Sequence, residues 1–280
     1  MSFLIPRPGQ VLSHSIEDYP EGIVLPVDKP YRWTSADVIR KLKWRAIRHF
    51  GKKNLKVGHA GTLDPLATGV LLVCIGDACK KAQMLQDHDK EYIAGIRFGA
   101  TTPSYDLEKE VDRRFPFEHI SADAVRAALP AFLGEQEQVA PLFSAKSVDG
   151  VRAYELARKL YRSGRLDELD AAAMDTLQRS RIVISELELL SFGEASAPAA
   201  AAPDGSASAR INVADTSALG LPEARVRIAC SKGTYIRAFA RDLGEALGSG
   251  AHLSSLVRSR SGAFRVSDAL SLDDALALFE

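Results

Sequence analysis

Between Lys56 and Gly76 the chain reads Lys-Val-Gly-His-Ala-Gly-Thr-Leu-Asp-Pro-Leu-Ala-Thr-Gly and then Val-Leu-Leu-Val-Cys-Ile-Gly. Asp64 lies at the centre of this stretch, with no acidic residue between it and Asp37, so its carboxylate should stay ionised. An ionised carboxylate held in a fixed loop can stabilise or trap an electron-poor carbon. The plainer reading of Asp64-Pro65 is a turn initiator. Arg40, Lys41, Lys43, Arg45, Arg48, Lys52, Lys53 and Lys56 fill the same acid-free interval. Such a run can neutralise several phosphates, or it can be a solvated helix face.

The elements that must hold these residues follow from punctuation and periodicity. Gly58, Gly61, Gly69 and Pro65 forbid a regular helix, and the short apolar run after them is β-branched and Gly-bounded, which predicts a loop feeding a buried strand. Upstream, Ile23 to Val27 reads as a strand. Thr34-Ser35-Ala36-Asp37 has the spacing of a capping box, predicting a helix to about Phe50, stopped by Gly51, with Val38, Leu42 and Ile47 inward. Residues 1–22 read as a poorly ordered leader.

Downstream, Ala78 to Asp87 suits a short helix, and Tyr92 to Phe98 alternates like a half-buried strand. Ser121 to Phe132 is a capped amphipathic helix, and Ala153 to Ser163 a helix in a basic segment carrying Arg152 and Arg158. Arg181 to Phe192 and Ala224 to Cys230 are strands. The intervening stretch, residues 193–222, is rich in Ala, Pro, Ser and Gly and reads as an inserted low-complexity hairpin. Ile236, Phe239, Ala240, Leu243 and Leu247 form one helical stripe. Leu253 to Val257 and Gly262 to Val266 can pair as strands, and Leu272 to Phe279 closes as a helix. Helices and strands mix without strict alternation, which argues an α+β fold with a largely antiparallel sheet.

Composition narrows the function classes. Lysine plus arginine and aspartate plus glutamate both number 36, so any polyanion site must come from local clustering. Cys74, Cys79 and Cys230 lack metal or disulfide spacing, and the six histidines are scattered, so no metal site is expected. No apolar run reaches membrane-span length and no signal peptide is evident, which predicts a cytoplasmic protein with no membrane association.

Gly-His-Ala-Gly-Thr-Leu-Asp-Pro-Leu-Ala-Thr-Gly resembles the catalytic loop of the TruB family of tRNA pseudouridine synthases, whose usual form has Thr in place of Ala60. Leu25 to Pro30 with Trp33-Thr34-Ser35, then Lys90-Glu91-Tyr92, then Cys230 to Arg237 recur in the family's order. The resemblance covers roughly Glu21 to Phe279. It implies one catalytic domain, residues 23–280, built on a central mixed sheet flanked by helices with the active cleft across its middle. The C-terminal PUA module usual in the family is not apparent.

The resemblance implies an isomerase that converts the uridine at position 55 of tRNA, in the T loop, to pseudouridine. The C1′–N1 bond breaks, the base turns over and C1′ joins C5, so no cofactor is required. Asp64 matches the catalytic aspartate, and Arg237 the arginine that keeps it anionic. Tyr92 matches the tyrosine that stacks on the flipped base, and His59 the histidine that fills the space the nucleotide leaves. Tyr235 and Leu256 match further pocket residues, although Leu256-Val257-Arg258 departs from the usual Leu-Arg-Arg. Lys146 stands one position early relative to the family's lysine. Candidate RNA backbone contacts are Lys29, Arg40, Lys43, Lys52, Lys53, Arg152 and Arg158. The expected partner is the T stem-loop of tRNA, with no obligate protein partner evident. The basic helices alone would equally suit a non-catalytic tRNA-folding chaperone.

Overall fold

A computed structural model describes residues 3–141, 147–148, 151–152, 179–194 and 211–280. Lys146, Arg158, the helix expected at 153–163 and residues 195–210 of the insert lie outside the described residues, and Arg152 is described in its backbone only. In chain order the elements are β1 (Ile23–Lys29), α1 (Ser35–Phe50), β2 (Val57–Ala60), β3 (Ala67–Ile75), α2 (Ala82–Gln86) and β4 (Lys90–Phe98). There follow β5 (Ala100–Thr101), β6 (Arg113–Arg114), α3 (Ala122–Ala128), β7 (Gly134–Val139), β8 (Ser147–Val148) and β9 (Val151–Arg152). The last are β10 (Arg179–Glu194), β11 (Pro222–Cys230), α4 (Ile236–Ala246), β12 (Ala251–Ser261), β13 (Phe264–Arg265) and α5 (Leu272–Ala277). The chain forms two compact units, Met1–Ile93 with Ala200–Ile211 and Leu256–Glu280, and Ala94–Ala199 with Asn212–Ser255.

The first unit is built on β3, whose apolar run is buried on both faces. One edge of β3 pairs antiparallel with β1, from Ile23↔Ile75 to Lys29↔Gly69. The other edge is shared. Antiparallel β2 takes its C-terminal half, with His59 opposite Val73, and parallel β12 takes its first residues, with Leu256 opposite Ala67 and Arg258 opposite Gly69. That parallel pair, beside the antiparallel pairing of β3 with β1 and β2, makes the sheet mixed, as the fold class requires.

Helix α1 begins where the capping box predicts it: the Thr34 hydroxyl accepts from the Asp37 N–H while the Asp37 carboxylate accepts from the Thr34 N–H. It ends at Gly51, which takes the left-handed conformation at φ 63°. Val38, Leu42, Ala46 and Phe50 form its buried stripe, the Val and Leu side chains each contributing about 1.5–3 kcal/mol by burial. Phe50 meets Phe279 edge to face, ring centroids 6.1 Å apart, beside α5.

Two expectations are corrected in this unit. The leader is packed rather than loose over residues 3–22. Val24 N–H donates to Leu4 O at 2.9 Å, and Leu12 and Ile16 are buried. The outer edge of β1 would otherwise leave backbone groups unpaired, and Leu4 and Leu270 occupy it. The proposed pairing of residues 253–257 with 262–266 also fails. The β12–β13 hairpin closes only at Arg260↔Arg265 and Ser261↔Phe264, because Leu256 to Arg258 are committed to β3.

In the second unit β11, β10 and β7 are antiparallel neighbours, beside the remainder of β4. Strand β7, Gly-Glu-Gln-Glu-Gln-Val, was not expected, since its polar sequence lacks an apolar period. The register of β10 on β11 runs out to Glu194↔Pro222, so the strand ends on either side of residues 195–221 lie side by side. Ile236, Phe239, Ala240 and Leu243 of α4 are buried as the stripe predicts, and Phe239 packs edge to face on Phe132, centroids 5.4 Å apart. Ser121 caps α3, which continues as a 3-10 turn over Leu129–Phe132.

Candidate active site

Residues 61–66 connect β2 to β3 at the point where the shared edge of β3 passes from β2 to β12. Asp64 is in this loop, and buried side chains grip its backbone on both sides. Ser35, the first residue of α1, donates through Oγ to Leu63 O at 3.1 Å and accepts from Leu63 N–H at 3.0 Å. Arg258, 1% exposed, donates from Nη2 to Gly61 O at 3.0 Å, from Nη1 to Thr62 O at 3.3 Å and from Nε to Val70 O at 2.7 Å. Lys29 Nζ donates to Pro65 O at 3.2 Å, Pro30 O at 2.8 Å and Trp33 O at 2.6 Å. Gly69 N–H donates to Asp28 Oδ1 at 2.9 Å. The loop has no regular backbone ladder of its own, so these bonds satisfy its carbonyls and fix it.

Lys29 is therefore not an RNA backbone contact, which corrects the expectation made for it. It is fully buried, and its donors are used by three carbonyls. Burial pulls its pKa down to about 7, while the Asp64 carboxylate, then Asp28, pull the other way. This coupling places the Lys29 ammonium in the field of Asp64. Arg40, Lys43, Lys52 and Lys53 are exposed, as the same expectation required of them, although Arg40 is bonded to Asp37 and Lys52 to Glu17.

His59, Tyr92 and Leu256 lie in the same unit as Asp64. His59 is on β2, opposite Val73. Its Nδ1 is buried without a partner among the described residues, and burial, then Arg258, push its pKa below the ordinary imidazole value. Both influences favour the neutral ring. Tyr92 is on β4 and 9% exposed, one residue from Glu91, whose carboxylate accepts from Ser259 Oγ on β12 at 2.7 Å. Leu256 is buried on β12 and opposes Ala67, three residues beyond Asp64.

Tyr235 and Arg237 belong to the other unit, at the start of α4. The Tyr235 backbone is pinned on both sides by Gln138, whose Oε1 accepts from its N–H at 2.8 Å and whose Nε2 donates to its carbonyl at 3.1 Å. Arg237 is buried. Its Nη1 donates to Ser104 O at 3.2 Å, and its Nε is 3.7 Å from Asp106 Oδ2. Asp106 is itself buried and accepts from Ser104 Oγ at 2.6 Å and Glu108 N–H at 3.0 Å. The loop places Tyr105 at φ 55°, a strained conformation for a residue other than glycine, between these two Asp106-directed groups.

Sequence reasoning noted Arg258 only as a position in the Leu256-Val257-Arg258 match; it did not foresee the bonds of Ser35 and Arg258 to the Asp64 loop, nor, in the other unit, Asp106 beside Arg237. Asp106 left a signal, a carboxylate in the turn-rich stretch Thr-Thr-Pro-Ser-Tyr-Asp with a serine two residues before it. The groups gathered on the described residues form no cluster of three or more His, Cys, Asp or Glu able to hold a metal.

Residues 48–236 match the model of the TruB family pseudouridylate synthase N-terminal domain, and residues 237–280 that of a tRNA pseudouridylate synthase B C-terminal domain. A tRNA pseudouridine synthase B of Phocaeicola vulgatus is 47% identical over 256 residues, covering 91% of this chain and 92% of the relative. One of Deinococcus radiodurans is 39% identical, covering 90% and 77%. Among solved structures, the chain resembles one in a Cbf5-Nop10-Gar1 complex with TM-score 0.60 at 23% identity, covering 94% of this chain and 56% of the other. A chain in an H/ACA RNP bound to a substrate RNA containing 2'-deoxyuridine gives TM-score 0.55 at 22% identity. The chain spans about half the length of those two, and at such identity the likeness concerns the fold. With a lone aspartate held in the family's loop and family models matching from residue 48 to the last residue, the chain belongs to the TruB family of pseudouridylate synthases.

Proposed function

We propose that this protein isomerises the uridine at position 55, in the T loop of tRNA, to pseudouridine in the cytoplasm. The observation that supports it most is the grip on the Asp64 loop by Ser35, Arg258 and Lys29, which fixes the backbone that carries the one carboxylate of the loop, as a nucleophile with a defined approach requires. Asp64 engages C1′ as the C1′–N1 bond breaks and leaves it as C1′ joins C5; the C5 proton passes to solvent and N1 takes up a proton, so substrate and product have the same composition. Among the described residues no helix is long and apolar enough to cross a membrane, and relatives are named for action on tRNA.

Tyr92 supplies the stacking surface for the flipped base and His59 fills the place it vacates. The roles of Leu256 and Tyr235 in the pocket, like that of Arg237 as a fixed cation for the reacting carboxylate, come from the resemblance alone. The exposed Arg40, Lys43, Lys52 and Lys53 contribute phosphate contacts. The test is release of tritium from unmodified tRNA labelled at uracil C5. Stoichiometric release of one label per T loop is expected, and no release from tRNA that the protein binds would overturn the reading.

A further inference from the structure

Among the exposed groups outside the loop and its pocket, Trp44 is the least expected. It is 54% exposed on α1, although tryptophan offers more apolar surface to bury than any other side chain. Arg40, Trp44 and Arg48 recur at four-residue spacing, so they form one outward stripe opposite the buried stripe of Val38, Leu42 and Ala46. The Arg48 guanidinium carbon is 4.7 Å from the indole centroid and that of Arg45 is 5.6 Å away. Lys41 and Lys43 flank the stripe, both exposed. After Asp37 no acid occurs on the helix.

This patch combines a half-exposed indole with guanidinium groups that lie against its ring and can move onto phosphates, the chemistry that holds unpaired nucleotides by base stacking and phosphate neutralisation. Arg40 has Asp37 and Arg45 has Glu280 as carboxylate neighbours, but a protein partner of ordinary surface would desolvate Lys41, Lys43 and Arg48 without matching their charge, and a second copy of this chain would bring like charge against like. The position suits RNA already engaged at the active loop. Ser35, at the start of α1, is bonded to Leu63, and Trp44 lies nine residues further along the same helix, about 14 Å at 1.5 Å per residue.

Resting on the reading of this chain as an RNA-modifying enzyme, we infer that Trp44 stacks on an unpaired base of the RNA substrate other than the target uridine, with Arg40 and Arg48 on the adjoining phosphates. The stripe is a second docking point that sets affinity for the RNA and takes no part in the bond rearrangement.

The experiment is tritium release over a range of tRNA concentrations for the full chain, Trp44→Ala and Trp44→Phe, with melting and sedimentation of each. Trp44→Ala should raise KM at least about fivefold, as loss of one stacked base requires, while Trp44→Phe recovers part of it and the melting curves coincide. The chain has two tryptophans, so tRNA should quench the fluorescence of the full chain and do so much less in Trp44→Phe, where Trp33 remains. An unchanged KM in Trp44→Ala, a quench undiminished in Trp44→Phe, or a change in sedimentation that makes the patch a self-association surface would each overturn the inference. Absence of tritium release by the full chain would instead overturn the reading beneath it.

Discussion

The guanidinium of Arg258 donates to the carbonyl of Gly61 at 3.0 Å, joining a residue near the chain's end to the first residue of the loop that carries Asp64. Two further bonds from the same side chain reach Thr62 and Val70. Replacing Arg258 by Met strands three carbonyls beside an apolar side chain, so unfolding free energy should fall by about 2–4 kcal/mol, read by urea titration. Arg258→Lys keeps the charge but not the three-way geometry. Its kcat should fall at least tenfold with KM little altered, because the aspartate is displaced and not removed.

Asp64→Asn should abolish tritium release while leaving tRNA affinity within about tenfold, since the charge serves the reaction and phosphate contacts supply most of the binding. Filter binding alongside the release assay reads both quantities. Normal turnover by this variant would remove Asp64 from the mechanism.

Lys29 makes stability depend on pH in a direction opposite to that of a lysine whose pKa is raised by an exposed carboxylate partner. With its folded pKa pulled down to about 7 from an ordinary 10.5, the folded chain holds fewer protons at this site than the unfolded chain between those values. Unfolding free energy should therefore rise with pH from about 7 upward through this site, and be insensitive to it below. Lys29→Met should flatten the rise. Asp64→Asn removes the largest influence sustaining the ammonium and should move the onset to lower pH. Urea titrations of the three proteins between pH 6 and pH 9 decide the matter, and parallel curves for all would refute it.

Gly69→Ala should be among the most damaging single methyl additions in the first unit. Gly69 has φ 96°, and a Cβ built there would lie 2.2 Å from the backbone oxygen of Arg258. Neither the strain nor the clash can be relieved without parting β3 from β12, so a loss above about 3 kcal/mol is expected. Gly58→Ala, with nothing within 4 Å of the added atom, serves as the control for chemical denaturation.

Local features were legible in the sequence because their causes are local. The Thr34–Asp37 box and Gly51 marked both ends of α1, and the Gly-bounded apolar run marked β3. Asp64, its loop and the family resemblance were legible for the same reason. What escaped depends on chain segments far apart. The parallel pairing of Leu256 with Ala67 spans most of the chain, and it turned an expected hairpin strand into the partner of β3. The interior placement of Lys29 depends on the carbonyl of Pro65, 36 residues away and outside any window around Lys-Pro, which joins those of Pro30 and Trp33. The leader hid its packing in the same way, since Leu4, Leu12 and Ile16 are too widely spaced to show a period.

The sharing of one β3 edge by β2 and β12 has a consequence for how this family can vary. The segment Gly61–Leu66 must leave β2 opposite Leu72 and arrive at Ala67 opposite Leu256, so both of its anchor points are ruled off along a single strand. One residue more or fewer would have to be absorbed either as a bulge against the buried Arg258 or as a slip that turns β3's side chains to the wrong faces. The segment is therefore measured in length as well as chosen in sequence. Divergence in this enzyme should take the form of substitutions within the six positions, while insertions collect elsewhere, as between Glu194 and Pro222, whose adjacent strand ends admit a connection of any size.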